Sequence, residues 1–566
     1  MHCKVVSLTK KVWAIHSGHL PLNSVDEIVP AILKNRGIEK QDDFKKASLT
    51  PSMLDPSDFL DMEKAICRII KALKNGEKIS IFGDYDVDGV CSTSIFVNFL
   101  DHLGANYSYF VPSRLKEGYG LNLEAIKKCR DSSLLITVDC GCTAIEELSY
   151  AKECGIDVIV LDHHKMSTIP PAVAVINPHR PDEKDKYKTL CATGLAFICM
   201  VGVNRQLESS GFYGERKIAK PNADDYLDLV ALATVCDVVE LVGLNRLLVA
   251  NGIKSIKKRK NLGIDALMSL NKGHGINSDT IAFFLGPRLN APGRIASADI
   301  SVKLLTTKNP IEAKKLALRL DELNKERQLL EARITAEAEE SIDDNLKFIC
   351  VYSQEWHAGV IGIVAGRLKE KYNKPSFVIA LDPNGNGRAS CRSIGNFDLS
   401  PLIGSAMARG IVFSGGGHSL AAGFSVNAGH LDDLIDFLKS EVQYDATTRE
   451  LYADCFMSLG AISSSMVKSI AALGPFGMGH RHPKFVIQNL TISQTRVVGQ
   501  NHIQTVLQDE KNNVLRGIAF KALGTELGDV LMNHSAPVNV LGGLSISEWR
   551  GEEYVNLYLE DVAECA

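Results

Sequence analysis

Three aspartates alternate in the run GDYDVDG, at Asp84, Asp86 and Asp88. In an extended segment alternate residues share a face, so two or three of these carboxylates could meet one hard cation. A solvated acidic turn shares the pattern, whereas an EF-hand is disfavoured because no Glu follows at the twelfth loop position. Asp139 ends the apolar run LLITVD, and Asp162, His163 and His164 end VIVLDHH. Asp237 interrupts ALATVCDVVEL, where a charge is costly unless it is paired or bound to metal. Each feature alone is weak, since one Asp or one His at a strand end is ordinarily packed or solvated. Together they place metal-competent groups at element ends in four separate segments. Mixed carboxylate and imidazole ligands suit Mn²⁺ and tolerate Mg²⁺. Two such ions about 4 Å apart clamp a phosphoryl group and lower the pKa of a shared water.

The elements that must position these groups are legible as hydrophobic patterns. KISIFG, LLITVD and IDVIVLD are short apolar strands, with a helix expected between from about Ser92 to Leu103. Strands alternating with helices predict an α/β fold with a parallel sheet, whose ligands collect beyond the carboxyl ends of the strands. Residues 225–250 read as helix and turn around Asp237. Residues 310–340 place Leu316, Leu320, Leu323, Leu330 and Ile334 close to helical spacing, with Asp321 and Lys325 as an i,i+4 pair. That predicts a long connecting helix. A smaller α/β unit follows: strand KFICVYS, helix 359–371, strand PSFVIALD, then glycine-rich turns at 385–387 and 415–417, the latter ahead of a helix-like run SLAAGF. From about Leu451 short strands and turns predict a small barrel of OB type. The expected divisions are an N-terminal segment 1–50 without evident chemistry, a catalytic domain 51–305, a connecting helix 306–345, a second α/β domain 346–445 and a barrel 446–566.

A second set of residues suits phosphate. Arg288 and Arg294 sit in GPRLNAPGR, where the flanking Gly and Pro argue against a simple exposed helix. Guanidinium forks match phosphate oxygens, and a surface salt bridge is the alternative role. Arg388, Ser390, Arg392 and Ser393 cluster after a glycine turn, and Gly415, Gly416, Gly417 and His418 form GGGH. Glycines let backbone N–H groups approach a phosphate, and a helix start favours an anion. No GK[ST] follows, so this is not a Walker A loop. The C-terminal region offers Arg496, Arg516, Arg550, Trp549, Phe520 and Tyr554, which could stack and grip single-stranded nucleic acid or serve as core.

Composition bounds these readings. The chain has 566 residues, 45% hydrophobic and 23% charged, as in ordinary globular proteins of three or four domains. A net charge of −4 argues against a binder that coats nucleic acid by bulk charge, but not against an enzyme with a local basic groove. The N-terminus lacks the apolar core of a signal peptide, and the uncharged stretch 189–204, which contains Thr193 and Gly194, falls short of the roughly 20 apolar residues a membrane span needs. A cytoplasmic protein without a membrane role is the expectation. The 14 cysteines are scattered, as for reduced, mostly buried thiols; zinc at Cys140, Cys142, Cys129 and Cys154 is the alternative.

GDYDVDG, VDCG, LDHH and the Asp of ATVCDVVEL, in this order, resemble the four motifs of the DHH phosphoesterase superfamily. GPRLNAPGR, HAGVIGIVAGRL and GGGHSLAAGF narrow the resemblance to its RecJ family, over about residues 79–483 with weaker similarity beyond. The resemblance implies a parallel-sheet DHH domain joined by a long helix to a smaller α/β DHHA1 domain, followed by an OB-type barrel. It implies Asp86 and Asp88 as ligands, one to each of two Mn²⁺ or Mg²⁺ ions, with Asp84 as a neighbour. Asp139 would bridge, His163 would ligate, and Asp237 would close the second site. Asp162 would fix a histidine tautomer, and His164 and Arg288 would meet the scissile phosphate. Arg294, His357, Arg388, Ser390, Arg392, Ser393, Gly416, Gly417 and His418 would hold the strand and its 5′ end. The implied activity is 5′→3′ exonucleolytic hydrolysis of single-stranded DNA to 5′-mononucleotides, in recombination and repair. A monomer working with a single-strand-binding protein and a helicase is the implied context.

Three positions depart from the family pattern. Phe82 stands where pyrophosphatase relatives carry a histidine, Pro292 where an alanine is common, and His480 where an Asn is usual. Two rivals remain at this level. One is a DHH enzyme for short oligoribonucleotides or cyclic dinucleotides, whose barrel would be missing. The other is a non-enzymatic scaffold, in which ligands would have been lost.

Overall fold

The computed structural model describes the chain apart from residues 1–2, 17, 19, 47, 114–117, 119, 184–186, 272, 274, 445–447, 550 and 566. Residues 49–445 form one compact unit; residues 1–48 and 446–566 form another.

In the larger unit, five strands run parallel in the order Tyr107–Phe110, Ile79–Gly83, Leu134–Val138, Asp157–Leu161, Ala174–Ile176. The second and third are buried along their whole length, as strands covered by helices on both faces must be. Phe82, Leu135, Val158 and Val160 pack with Ile126, Leu148 and Ala151 of the helices Leu123–Lys128 and Ile145–Glu153. Ile81, Ile136 and Ile159 belong to the opposite core, with the helices Met62–Asn75, Val87–His102 and Ala192–Ser209.

The helix expected from about Ser92 begins earlier, at Val87. Asp86 is the reason: its carboxylate accepts the N–H groups of Asp88 at 2.9 Å and Gly89 at 3.2 Å, satisfying donors a helix start leaves open. The acidic run is therefore a strand end, a turn and a first helical turn, and not an extended segment with alternate residues on one face.

GPRLNAPGR is a helix after all, Gly286–Ile295, but a packed one: Leu289, Ala291, Pro292 and Gly293 are buried. Pro287 occupies the first turn, where its missing N–H is harmless. A π-helical turn, Ile281–Leu285, leads into it. The connecting helix spans Pro310–Glu340, started by Asn309, whose side chain accepts from Ile311 N and Glu312 N. Asp321 and Lys325 pair on it at 2.8 Å.

The second sheet has the order Ser414–Gly417, Ala421–Asn427, Asn386–Arg392, Ser376–Leu381, Ile349–Ser353, with only the last two strands parallel. SLAAGF contributes to the strand Ala421–Asn427 rather than to a helix. Its small residues let it run between two strands, pairing with both. Ile361–Tyr372 is the helix expected over 359–371.

In the other unit, five strands close on themselves: Phe485–Val498 pairs with His502–Gln508 and with Val538–Trp549, while Val514–Ala519 pairs in parallel with Glu552–Glu564. This is an OB-type barrel, with the helix Glu526–Asn533 between its third and fourth strands. The N-terminal residues, read from sequence as a segment of their own, pack with it. Val12–Ile15 pairs with Glu450–Ala453, and Trp13 donates its indole N–H at 2.8 Å to the fully buried Asp561. Arg550 lies outside the described residues. Phe520 is exposed and touches the rings of His502 and Tyr558, and the Arg516 guanidinium lies over Tyr554. His480 is buried against Phe476, with Nε2 3.0 Å from the Leu473 carbonyl oxygen. Among the described residues no helix is long and apolar enough to cross a membrane.

Candidate active site

The strands Ile79–Gly83, Leu134–Val138 and Asp157–Leu161 end side by side, so Asp84, Asp139 and Asp162 emerge at one edge of the sheet. The turn after the first strand is tight. A Cβ at Gly89 would lie 2.4 Å from the Asp84 carbonyl oxygen, so only glycine lets the helix start fold back onto the strand end. Asp139 itself has φ 61°, and Val238, directly after Asp237, has φ 58°. Left-handed backbone is unfavourable for both, most of all for a β-branched residue, and such strain collects at functional sites.

The residues predicted as ligands converge. Ligand atoms of Asp84, Asp86 and Asp139 lie within 4.8 Å of one another, as do those of Asp88, His163 and Asp237, and those of Asp139, His163 and His164. His163 Nε2 is 3.3 Å from Asp139, 3.5 Å from Asp237 and 3.6 Å from Asp88. Asp139 thus connects the Asp84–Asp86 side to the histidines, and His163 connects those to Asp88 and Asp237. Asp88 has a second engagement: its two carboxylate oxygens accept Thr193 N at 2.8 Å and Ala192 N at 2.7 Å. It caps the helix Ala192–Ser209 while facing His163.

Electrostatics show what the cluster wants. Burial, then the surrounding Asp86, Asp88, Asp84 and Asp237, pushes the Asp139 carboxyl well above its usual range. Burial, then Asp88 and Asp86, raises Asp237 too. Carboxylates this close cannot all stay ionised without cations among them. Asp139 Oδ1 is buried and accepts no hydrogen bond. A buried acceptor without a donor, set among hard oxygen and imidazole ligands, fits a divalent cation such as Mn²⁺ or Mg²⁺. No cysteine takes part among the described residues.

Asp162 behaves differently. Burial opposes its ionisation, but hydrogen bonds from His164 and from Cys142 N–H outweigh that and hold its carboxyl well below the usual range. His164 Nδ1 lies 2.7 Å from Asp162 Oδ1. Burial alone would lower this imidazole, yet Asp162, Asp237 and Asp84 push it up to about 9. Asp162 therefore orients His164 and favours its protonated form.

The arginines divide. The Arg288 guanidinium is engaged by Asp321 of the connecting helix, through Nε at 2.9 Å and Nη2 at 2.8 Å, and stacks on Phe284. Those contacts tie two helices together. Arg294 sits where its own helix meets the second α/β lobe, with Nη1 3.5 Å from the Gly359 carbonyl oxygen. His357 adjoins it: its Nδ1 accepts Gly359 N–H at 3.1 Å, and burial lowers its pKa.

Arg388, Ser390 and Arg392 alternate along one strand and so share a face. A Cβ at Gly362 would lie 3.0 Å from Ser390 Oγ and 3.4 Å from Arg392 Nη2. This face therefore meets the first turn of Ile361–Tyr372, and that helix start supplies the positive end which the sequence reading had assigned to SLAAGF. Gly416 and Ser390 both pair with Gly423, leaving a bare backbone row, and nothing lies within 4 Å of a Cβ built at Gly416. Gly417 abuts Ala422, and His418 is exposed in the turn beyond. Ser393 is not presented in the same way: it is buried, and its hydroxyl donates to the Phe397 carbonyl oxygen at 2.7 Å.

Three positioning groups escaped the sequence reading. Asn290 Oδ1 accepts Val87 N–H at 3.2 Å, bracing the acidic turn; it lies inside the GPRLNAPGR motif already singled out. Asn177 donates to the His164 carbonyl oxygen at 2.9 Å. The Ala192–Thr193 amides that hold Asp88 carry no sequence signal, because backbone donors are common to all residues.

Comparison with known proteins agrees with this fold. Family models match in order: the DHH family N-terminal domain at residues 78–234, the DHHA1 domain at 345–443 and the RecJ OB domain at 453–561. The chain is 33% identical over 551 residues to the single-stranded-DNA-specific exonuclease RecJ of Salmonella typhimurium, covering 93% of this chain and 94% of that protein. It is 32% identical to the Bacillus subtilis protein of the same name, covering 95% of this chain and 68% of that one. In structure it is similar to RecJ of Thermus thermophilus solved with Mn²⁺, at a TM-score of 0.79 and 27% identity, covering 98% of this chain and 80% of that one.

Proposed function

This chain belongs to the RecJ family, and on that footing we propose that it is a metal-dependent 5′→3′ exonuclease that hydrolyses single-stranded DNA to 5′-mononucleotides in recombination and repair. The observation that carries the proposal is the convergence of Asp84, Asp86, Asp88, Asp139, His163 and Asp237 at the carboxyl ends of parallel strands. Two divalent ions held there would supply an activated water and neutralise charge developing on the phosphate. Asp84, Asp86 and Asp139 would hold one, and Asp88, His163 and Asp237 the other, with Asp139 shared. His164, held at Nδ1 by Asp162 and favoured in its protonated form, would offer Nε2–H to a phosphate oxygen. Arg388, Ser390, Arg392, Gly416, Gly417 and His418 would grip the phosphates of the strand, with Arg294 and His357 between the two lobes. Arg288 would act through the helix it fixes.

The closed barrel supports a polymer over a dinucleotide substrate, because such barrels track single strands. A single-strand-binding protein and a helicase as partners, a monomeric state and cytoplasmic action belong to the same reading. The test uses 5′-labelled and 3′-labelled single strands and a dinucleotide, each with Mn²⁺, Mg²⁺ or chelator. Mononucleotide release from the 5′ label first, with metal only, is expected. Release from the 3′ end, or preference for the dinucleotide, would overturn the assignment.

A further inference from the structure

Beside the acidic cluster lies a cavity of about 190 Å³, lined by Cys236, Gly286, Asn290, Arg294, Arg327 and Ile363 among others. Two of its walls belong to the catalytic machinery. Cys236 precedes Asp237, and Asn290 braces the acidic turn at Val87. Ile363 comes from the helix whose first turn meets Ser390 and Arg392. The cavity therefore lies where the two lobes of this unit adjoin, next to the reacting centre on one side and the phosphate-gripping strand on the other.

Arg327, on the connecting helix, is a residue that no sequence motif drew attention to. Its guanidinium is held from behind. Nη1 donates at 2.6 Å to Glu331, one helical turn on, and Nη2 donates at 2.7 Å to Asn324. Glu331 is almost fully buried, and its other oxygen takes Arg367. Those two bonds use one hydrogen on each terminal nitrogen of a group that carries five. A planar fork fixed in this way is pre-organised to bind an oxyanion. Arg294 lines the same cavity, so two arginines border a volume that suits a phosphate with its waters.

We infer that this cavity is a phosphate subsite for the nucleic-acid strand, with Arg327 as its unrecognised anchor. It takes one backbone phosphate near the scissile linkage, in register with the metal cluster. The lobes are thereby read together, because the strand is seated by the catalytic helix Gly286–Ile295 and the connecting helix at once. The inference rests on the exonuclease reading, and its test separates the two.

The test is a substrate scan with short single-stranded oligonucleotides, each neutralised at one linkage as the methylphosphonate. It is run on the wild type, Arg327→Gln and Arg367→Gln with Mn²⁺. For the wild type, neutralising one internal linkage near the degraded end lowers kcat/KM by roughly tenfold or more. For Arg327→Gln the same linkage becomes insensitive, and the slope of log affinity against log salt falls by about 0.7, one phosphate contact on a single strand. Arg367→Gln disturbs Glu331 equally but does not line the cavity, so its linkage profile follows the wild type. Equal sensitivity of Arg327→Gln and wild type at every linkage overturns the inference, as does an Arg367→Gln profile matching that of Arg327→Gln. A wild type that leaves unmodified strands intact refutes the exonuclease reading instead.

Discussion

The two sheets of the larger unit are built for opposite charges, and their architectures differ accordingly. The first is all parallel, with its central strands buried on both faces, and at one edge its strand ends meet helix ends to gather Asp84, Asp86, Asp88, Asp139, Asp237, His163 and His164. Helices on both sides leave those groups little water, so their repulsion is relieved only by ions or protons. The second is mostly antiparallel and ends in the exposed glycine strand Ser414–Gly417. It carries arginine and serine on one strand and bare backbone at its glycine edge, the groups proposed above to grip an anionic polymer. A rigid buried sheet suits a fixed centre, and an open edge suits a moving strand.

The comparison breaks most sharply at Asp139. Asp139→Ala is expected to lower Mn²⁺-dependent hydrolysis of single strands on the order of 10³-fold. It should also abolish the Mn²⁺-induced rise in melting temperature while leaving the chelated protein no less stable, since a repulsive buried carboxyl has gone. An unchanged nuclease rate would remove the metal centre from the argument. Asp162→Asn comes next. It keeps the shape but loses the charge that holds His164 protonated, so activity should fall about 10–100-fold, with a lowered alkaline limb in the pH–rate profile. In the second sheet the effects are smaller and fall on binding. Arg392→Gln should raise KM about tenfold with little change in melting temperature. Gly416→Val has room in the fold, so a circular-dichroism melt should match the wild type while KM rises.

The smallest effect sharpens the contrast between a working carboxylate and a merely buried one. Burial raises the Asp228 carboxyl to about 7, outside the metal cluster. The folded chain keeps this proton where the unfolded chain has lost it. The resulting stability is full below pH 3.8 and is lost as pH rises through about 7. Asp228→Asn should therefore flatten the melting temperature between these limits by the equivalent of a few kcal/mol at most, of order one per pH unit, and leave the Mn²⁺ response intact.

Much of this was legible before any coordinates. Apolar strands ending in Asp139 and in Asp162–His163–His164 announce themselves, because a parallel sheet needs unbroken hydrophobic runs and its ligands sit where those runs stop. The connecting helix was legible too, since 31 residues of helical spacing without internal Gly or Pro allow little else. The strand Ala421–Asn427 misled, because SLAAGF has small residues with strong helical propensity and only its two neighbouring strands make it extended. GPRLNAPGR is, as its Gly and Pro suggested, no simple exposed helix; that it is a helix at all depends on the packing that buries it.

Residue type and order thus pointed to the candidate ligands and the class of ion they suit, because those follow from side-chain chemistry at element ends, and the motif order pointed to the family. Tertiary structure alone decided that Asp88 also caps a helix, that Arg288 pairs with Asp321, that the N-terminal hairpin joins the barrel, and that Arg327 lines a cavity with Cys236. Each of these depends on which surfaces meet across long stretches of chain, and local patterns carry no record of that.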